Sequence, residues 1–192
     1  MCMKFPHVAN ARSLRAIAMK SINIENIYNK IETIKVDKSD KYLLTYPTYL
    51  DYLNNEEVFS RNSLRMVAGF AYSWMPRVIT LDHSAEKQLI ELIITAKKSP
   101  INEAIGQQVF NQTLQYTGGS TVASSKILHF IFPNYFPIFD SHIFKACWQV
   151  TKSYHYQMTF NNYFEYLNEV HRNLNHIGTE KIKKLFDFSI GI

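Results

Sequence analysis

The stretch that decides the fold is residues 116–148, which read YTGGSTVASSKILHFIFPNYFPIFDSHIFKACW. It contains a Gly-Gly pair between two apolar segments, a connector bounded by prolines, and an aspartate that begins a second helical segment. Asp140 is the only acidic residue of the stretch, which also holds Lys126 and Lys145. A lone carboxylate among lysines weakens their attraction for a polyanion, which is a disadvantage for binding unless the carboxylate has a role of its own. We therefore interpret Asp140 as a candidate active-site group.

Composition limits the class of protein. The 192 residues allow one good-sized domain or two small lobes, and a hydrophobic fraction of 46% is enough for a sizeable core. The net charge of +5 weakly favours a polyanionic partner. Two cysteines are too few for a disulfide framework, a Cys-ligated zinc site or an iron–sulfur cluster. We expect an intracellular, cytoplasmic protein with no cofactor, no metal and no membrane segment.

The chain predicts an all-α fold, because no stretch alternates well enough for a sheet and Pro and Gly are scarce. We expect the segment 56–74, apolar nearly all round in its middle, to be the buried helix. Tyr46-Pro47 is predicted to start the preceding helix, and Asn54 or Asn55 is predicted to cap the segment 56–74. Further helices are predicted at 10–20, 23–34, 85–99 with Asp82 or Ser84 as its cap, 101–116, 141–149, 159–176 and 180–190 with Thr179 as its cap.

The sequence Thr117-Gly118-Gly119-Ser120 joins two predicted helices. Glycine allows a positive φ and brings bare backbone N–H groups to the surface. Such amides at a helix N-terminus favour an anion, for which a DNA phosphate is a candidate. The alternative is an ordinary turn without a ligand.

A second motif, FPIFDSHIFKA at residues 136–146, follows this turn. Together the two motifs resemble the helix-hairpin-helix DNA glycosylases, the superfamily of endonuclease III, adenine glycosylase and 8-oxoguanine glycosylase. In that family a hairpin of the type L-P-G-V-G-x-K-T-A leads into a helix, and P-x-x-D-x-H-(I/V)-x-(R/K) follows. Gly118 falls on the first hairpin glycine, 22 residues before Asp140. Ser120 replaces the second glycine.

The resemblance implies a two-lobed fold with a cleft between the lobes. One helical lobe would cover approximately residues 50–150, and residues 1–49 and 151–192 would form the other. Asp140 would be the family's aspartate, which stabilises the cationic sugar or activates the nucleophile. The bland alternative is that Asp140 only caps the helix 141–149, and both roles are compatible.

Val122 falls where bifunctional members of the family carry a Schiff-base lysine, which is a departure from the pattern. Lys126 lies one turn later on the same helix face. It is a candidate nucleophile if burial lowers its pKa, and otherwise a phosphate contact or a solvated lysine.

Several further residues are candidates for DNA contact. By resemblance, the hairpin and the segment after Asp140 would touch the backbone through Gly118, Gly119, Ser120, Thr121, His142 and Lys145. A base must leave the stack before its glycosidic bond is attacked, so a wedge and a pocket are needed. The candidates are Trp74, Met75, Arg77, Phe186 and Phe188, with core packing as the alternative for each. Cys147 and Trp148 are expected in the core.

The predicted function is a monomeric DNA glycosylase that binds double-stranded DNA, flips a damaged or modified base and cleaves its N-glycosidic bond. The base is an oxidised guanine in DNA repair or a hypermodified base of invading phage DNA. One rival is a non-catalytic helix-hairpin-helix DNA-binding protein, which Val122 favours. The other is a helical protein-interaction module, in which the glycines and Asp140 form only a turn and a cap.

Overall fold

The computed structural model describes residue 19 and residues 41–75, 80–152 and 157–173. These residues contain helices and connecting turns but no strand, which confirms the all-α prediction. In chain order the helices are α1 (Lys41–Asn54), α2 (Arg61–Ser73), a 3-10 turn (His83–Ala85), α3 (Glu86–Ala96), α4 (Glu103–Tyr116), α5 (Thr121–Ile131), α6 (Ser141–Trp148) and α7 (Phe160–Asn173).

Side-chain caps set most helix starts. The Ser60, Asp82, Asn102, Ser120 and Asp140 side chains each accept a backbone N–H from the first turn that follows. The predicted cap at Asp140 is therefore confirmed, whereas Asp82 caps the 3-10 turn, and α3 itself, which begins after Ala85, has no side-chain cap.

Two predicted helix starts are wrong. Helix α1 begins at Lys41 and contains Pro47 in its interior, so Tyr46-Pro47 does not start it. Helix α2 begins after Ser60 rather than after Asn54 or Asn55, because Ser60 and Ser63 form a reciprocal capping box.

The buried helix is α5 and not α2, so this prediction is also wrong. Helix α2 exposes Arg65, Met66 and Gly69, whereas nine of the eleven residues of α5 are buried. Even the polar residues Ser124 and Ser125 of α5 are fully buried and hydrogen-bonded. Helices α1, α2 and α4 all pack against α5.

One hydrophobic cluster connects the described helices. Helix α7 joins it through Tyr163, whose ring stacks on Phe110 of α4 with centroids 4.4 Å apart and contacts Phe139 at 5.7 Å. Trp148 lies in this core, as expected. The division into two lobes stays a prediction, since residues 1–18, 20–40 and 174–192 lie outside the described residues together with their predicted helices.

Candidate active site

The turn between α4 and α5 uses its glycines for backbone geometry. Gly118 has φ of 60° and Gly119 has φ of 87°, a region that other residues rarely adopt. The Gly118 N–H donates to the Gln115 carbonyl at 3.1 Å, and the Gly119 N–H donates to the Leu114 carbonyl at 2.8 Å. Both amides therefore close the end of α4, which differs from the expectation that the glycines offer bare N–H groups.

The amides that remain available belong to the first turn of α5. Ser120 caps this helix, and its Oγ accepts the Ala123 N–H at 3.3 Å. The N–H groups of Thr121 and Val122 have no hydrogen-bond partner among the described residues. Two unpaired amides at the positive end of a helix dipole favour an anion, so the candidate phosphate position shifts two to three residues beyond the glycines.

Ser125 connects α5 to the residue that precedes Asp140. Its Oγ accepts the Phe139 N–H at 3.1 Å, and its one hydroxyl proton is shared between the carbonyls of Phe139 at 3.1 Å and Val122 at 2.9 Å. Ser125 and Phe139 are fully buried. The approach to α6 is thereby fixed to the helix that starts at the glycine turn.

Asp140 has two different carboxylate oxygens. Oδ1 accepts the N–H groups of His142 at 2.8 Å and Ile143 at 3.1 Å, which holds the side chain in one orientation. Oδ2 has no hydrogen-bond partner among the described residues, and Asp140 is half-buried. One oxygen is thus structural, and the other can act on a cation or on a water molecule.

Lys126 is the buried cation of the site. Its side chain is 6% exposed, and Nζ donates to the carbonyl of Trp74 at 2.7 Å. Burial lowers the pKa of Lys126, while the charge of Asp140 opposes this shift. The two groups are therefore electrostatic neighbours, although they form no ion pair within 4.0 Å. The structure rules out the solvated-lysine interpretation, because so little of the side chain is exposed.

Aromatic rings surround the Trp74 end of this site. Trp74 meets Phe130 edge-to-face at 5.4 Å and Tyr46 at 5.6 Å, and Tyr46 stacks on His129 at 5.6 Å. The Tyr46 hydroxyl donates to His129 Nε2 at 2.6 Å, because His129 Nδ1 donates to the carbonyl of Phe136 at 2.8 Å. Sequence reasoning missed Tyr46 and His129, since neither belongs to a motif.

Burial keeps this hydrogen-bonded pair neutral. It raises the pKa of Tyr46 to about 12, and it lowers the pKa of His129, although the hydrogen bond to the Phe136 carbonyl partly opposes the second shift. The pair therefore stays uncharged near pH 7 and acts as a rigid wall.

The other predicted contacts fall in different places. His142 is exposed and Lys145 half-buried, both on α6, and Met75 is half-buried after α2. Burial and the nearby Glu169 raise the pKa of Cys147 to about 11, so this half-buried thiol stays protonated at neutral pH. The candidates Arg77, Phe186 and Phe188 lie outside the described residues.

Comparisons of the chain with protein-family models, with curated proteins and with solved structures gave no match. The resemblance to glycosylases therefore depends on the motif residues alone. Among the described residues, no group of three or more His, Cys, Asp or Glu side chains is arranged to hold a metal ion. None of the helices in this part of the chain is long and apolar enough to cross a membrane.

Proposed function

We propose that the protein is a DNA glycosylase that flips a damaged or modified base out of double-stranded DNA and cleaves its N-glycosidic bond. The observation that carries this proposal is the pair of hydrogen bonds between Ser125 and Phe139. They couple the helix that begins at the Gly118-Gly119 turn to the segment that presents Asp140. A glycosylase needs such a coupling, because a grip on the strand must place the sugar against the catalytic group.

Asp140 is the proposed catalytic carboxylate. Its Oδ1 is held by two backbone amides, which leaves Oδ2 to face the sugar. As the base departs, positive charge develops on the sugar, and a fixed carboxylate stabilises that charge without reorganisation. The same oxygen can take the proton of an attacking water.

The proposed grip on DNA lies at the start of α5 and on α6. The Thr121 and Val122 amides would bind one backbone phosphate, and the side chains of Ser120, His142 and Lys145 would contact its neighbours. Gly118 and Gly119 would act through the shape of the turn rather than by donating hydrogen bonds, because their own N–H groups are already bonded.

Lys126 is proposed to act as a buried positive charge next to Asp140. The carbonyl of Trp74 occupies its ammonium, and the side chain is almost fully buried, so direct attack on a sugar requires a rearrangement. The lowered pKa of Lys126 supports the other role, an amine nucleophile. Borohydride trapping on a substrate duplex decides between them. Electrostatic action gives no trapped adduct, and an adduct that Lys126→Met abolishes assigns the nucleophile.

Asp140→Asn tests the proposed function with little effect on folding, because asparagine caps a helix about as well as aspartate. Duplexes that carry oxidised guanine or hypermodified phage-type bases are incubated with each protein and then treated with hot alkali. We expect strand cleavage with the wild type and none with Asp140→Asn. Asp51→Asn removes the same charge from an exposed position on α1 and should cleave as the wild type does. No cleavage by the wild type on any duplex contradicts the proposal.

The second candidate is a DNA-binding protein without catalysis. Val122 favours it, because a half-buried valine stands at the position of the family's Schiff-base lysine. This protein would bind duplex DNA with a steep salt dependence and leave every base in place. A helical interaction module would show no salt-dependent DNA binding, so the two measurements together separate the three functions.

A further inference from the structure

A buried carboxylate with three basic neighbours lies at the start of α3, after the segment that contacts the glycine turn. Glu86, the first residue of α3, is 2% exposed. Its oxygens accept Arg65 Nε at 3.0 Å and Arg65 Nη2 at 3.1 Å. Arg61 Nε lies 3.3 Å from Oε2, and His83 Nδ1 lies 2.7 Å from Oε1. We name Arg61, Arg65, His83 and Glu86 the Glu86 cluster.

One arginine is enough to neutralise the buried carboxylate of Glu86, whereas the Glu86 cluster contains two arginines and a histidine. The bidentate Arg65 pair alone satisfies the charge of Glu86, and the hydrogen bonds from Arg65 and His83 lower the pKa of Glu86. Arg61, Arg65 and His83 nevertheless keep 63%, 50% and 62% of their side chains exposed. Glu86 orients the guanidinium groups of Arg61 and Arg65 through some of their N–H donors. The remaining N–H donors can bind an acceptor outside the protein.

Those remaining donors can be named. The guanidinium of Arg65 contacts Glu86 through Nε and Nη2, which leaves Nη1 without a partner among the described residues. Arg61 approaches Glu86 through Nε, which leaves both of its Nη atoms. Paired N–H groups of this kind match the oxygens of a phosphate. Asp82 is also close in sequence, but its Oδ1 accepts the N–H and Oγ–H of Ser84 at the 3-10 turn.

The Glu86 cluster adjoins the glycine turn. The Asp82 N–H donates to the Tyr116 carbonyl at 2.8 Å, and Tyr116 is the last residue before the turn. A Cβ added to Gly118 would lie 3.2 Å from the Thr80 carbonyl oxygen. Burial and the charge of Glu86 raise the pKa of Tyr116 to about 12. The segment 80–86 thus joins the turn to the arginines.

We propose that Arg61, Arg65 and His83 form a second phosphate-binding site, which holds the DNA backbone next to the glycine turn. This inference depends on the DNA partner of the proposed function and not on its chemistry. Two separate phosphate contacts would fix the direction in which the strand crosses the turn, which one phosphate contact cannot do.

The test measures binding of an unmodified duplex by fluorescence anisotropy over a salt series, with Asp140→Asn as the parent so that no base is excised. Arg61→Ala removes one exposed guanidinium and leaves the Arg65–Glu86 pair intact. Arg65→Met combined with Glu86→Gln removes the second one without leaving a buried charge unpaired, which protects the fold. Lys98→Ala removes an exposed cation at the opposite end of α3 and is the matched control.

We expect Arg61→Ala to reduce the slope of log K against log salt by about one, and the Arg65–Glu86 double variant by about one again. Lys98→Ala should keep the parent slope. Parent-like slopes in both cluster variants overturn the second site and leave the glycosylase proposal intact. Reduced slopes without base excision by the wild type support the site and contradict the glycosylase. A parent that shows no salt-dependent DNA binding overturns both.

Discussion

Ser125→Ala should break the coupling between the glycine turn and Asp140. Ser125 Oγ is the only hydrogen-bond partner of both backbone groups of Phe139 among the described residues, and Phe139 is fully buried. Alanine leaves that N–H without an acceptor, and it removes the hydroxyl proton that the Phe139 carbonyl shares with the Val122 carbonyl. An orphaned buried group costs about 1–3 kcal/mol, so we expect a loss of about 2–3 kcal/mol in the free energy of unfolding.

Ser124→Ala is the matched control, because Ser124 is the adjacent residue and is equally buried. Its Oγ bonds the Thr117 hydroxyl and the Ser120 carbonyl, and both of these keep other partners when it is lost. We therefore expect a cost below about 1 kcal/mol. Both variants gain the same helix propensity from alanine, so the difference between them isolates the orphaned groups of Phe139.

Thermal unfolding and urea titration measure this difference. At about 2–4 °C per kcal/mol for a chain of this size, Ser125→Ala should melt about 4–12 °C below the wild type. In the excision assay, run below the melting temperature of Ser125→Ala, this variant should excise the substrate base more slowly than the wild type, because the segment before Asp140 can move. Equal melting temperatures for the two serine variants would refute the argument that Ser125 holds this segment.

The remaining predictions concern packing, capping and pH. Gly106→Ala should destabilise the fold by about 1–2 kcal/mol in urea titration, because its Cβ would lie 2.5 Å from the Tyr135 hydroxyl, whereas Gly69→Ala meets nothing within 4 Å and should stabilise it by about 0.5–1 kcal/mol. In calorimetry, Asp140→Ala should have a lower melting temperature than Asp140→Asn, because the lost cap costs about 1 kcal/mol of the free energy of unfolding. The pKa of His129 is lowered from 6.5, so below pH 6.5 the unfolded chain binds a proton that the folded chain does not, and stability falls. His129→Asn should flatten that acid limb in pH-dependent urea titrations.

Local sequence signals predicted the fold class and the cap at Asp140. Asp140 precedes SHIFKACW, and a short acidic side chain before an apolar helical segment is sufficient to predict a cap. The helix 159–176 was predicted from its apolar stripe, and the structure confirms it as α7 over the described residues. These features depend on residues within one or two turns of each other, which is why one sequence reveals them.

Contacts between distant residues could not be predicted in the same way. The bond from Lys126 to the Trp74 carbonyl spans 52 residues, and the bond from Tyr46 to His129 spans 83. Polar residues of α5 are buried, and Lys126 and Ser125 bond carbonyls that lie on other segments, at Trp74 and Phe139. Sequence patterns show which side chains are polar, whereas burial of a polar residue depends on partners that only the fold supplies.

Helix α5 places the elements of the proposed site at successive turns along one rigid axis. The unpaired amides proposed to bind a phosphate are at Thr121 and Val122, Ser125 follows one turn later, and Lys126 is next to it. At 1.5 Å per residue, these groups span about 8 Å, a distance comparable to the spacing of neighbouring phosphates. Substitutions at different positions along α5 should therefore affect DNA binding and base excision separately. Substitutions at the turn should weaken DNA binding and leave the single-turnover rate at saturating protein nearly unchanged, and Ser125→Ala should lower that rate with little loss of binding. A turn variant that lowers the single-turnover rate at saturation as much as Ser125→Ala would contradict a rigid α5.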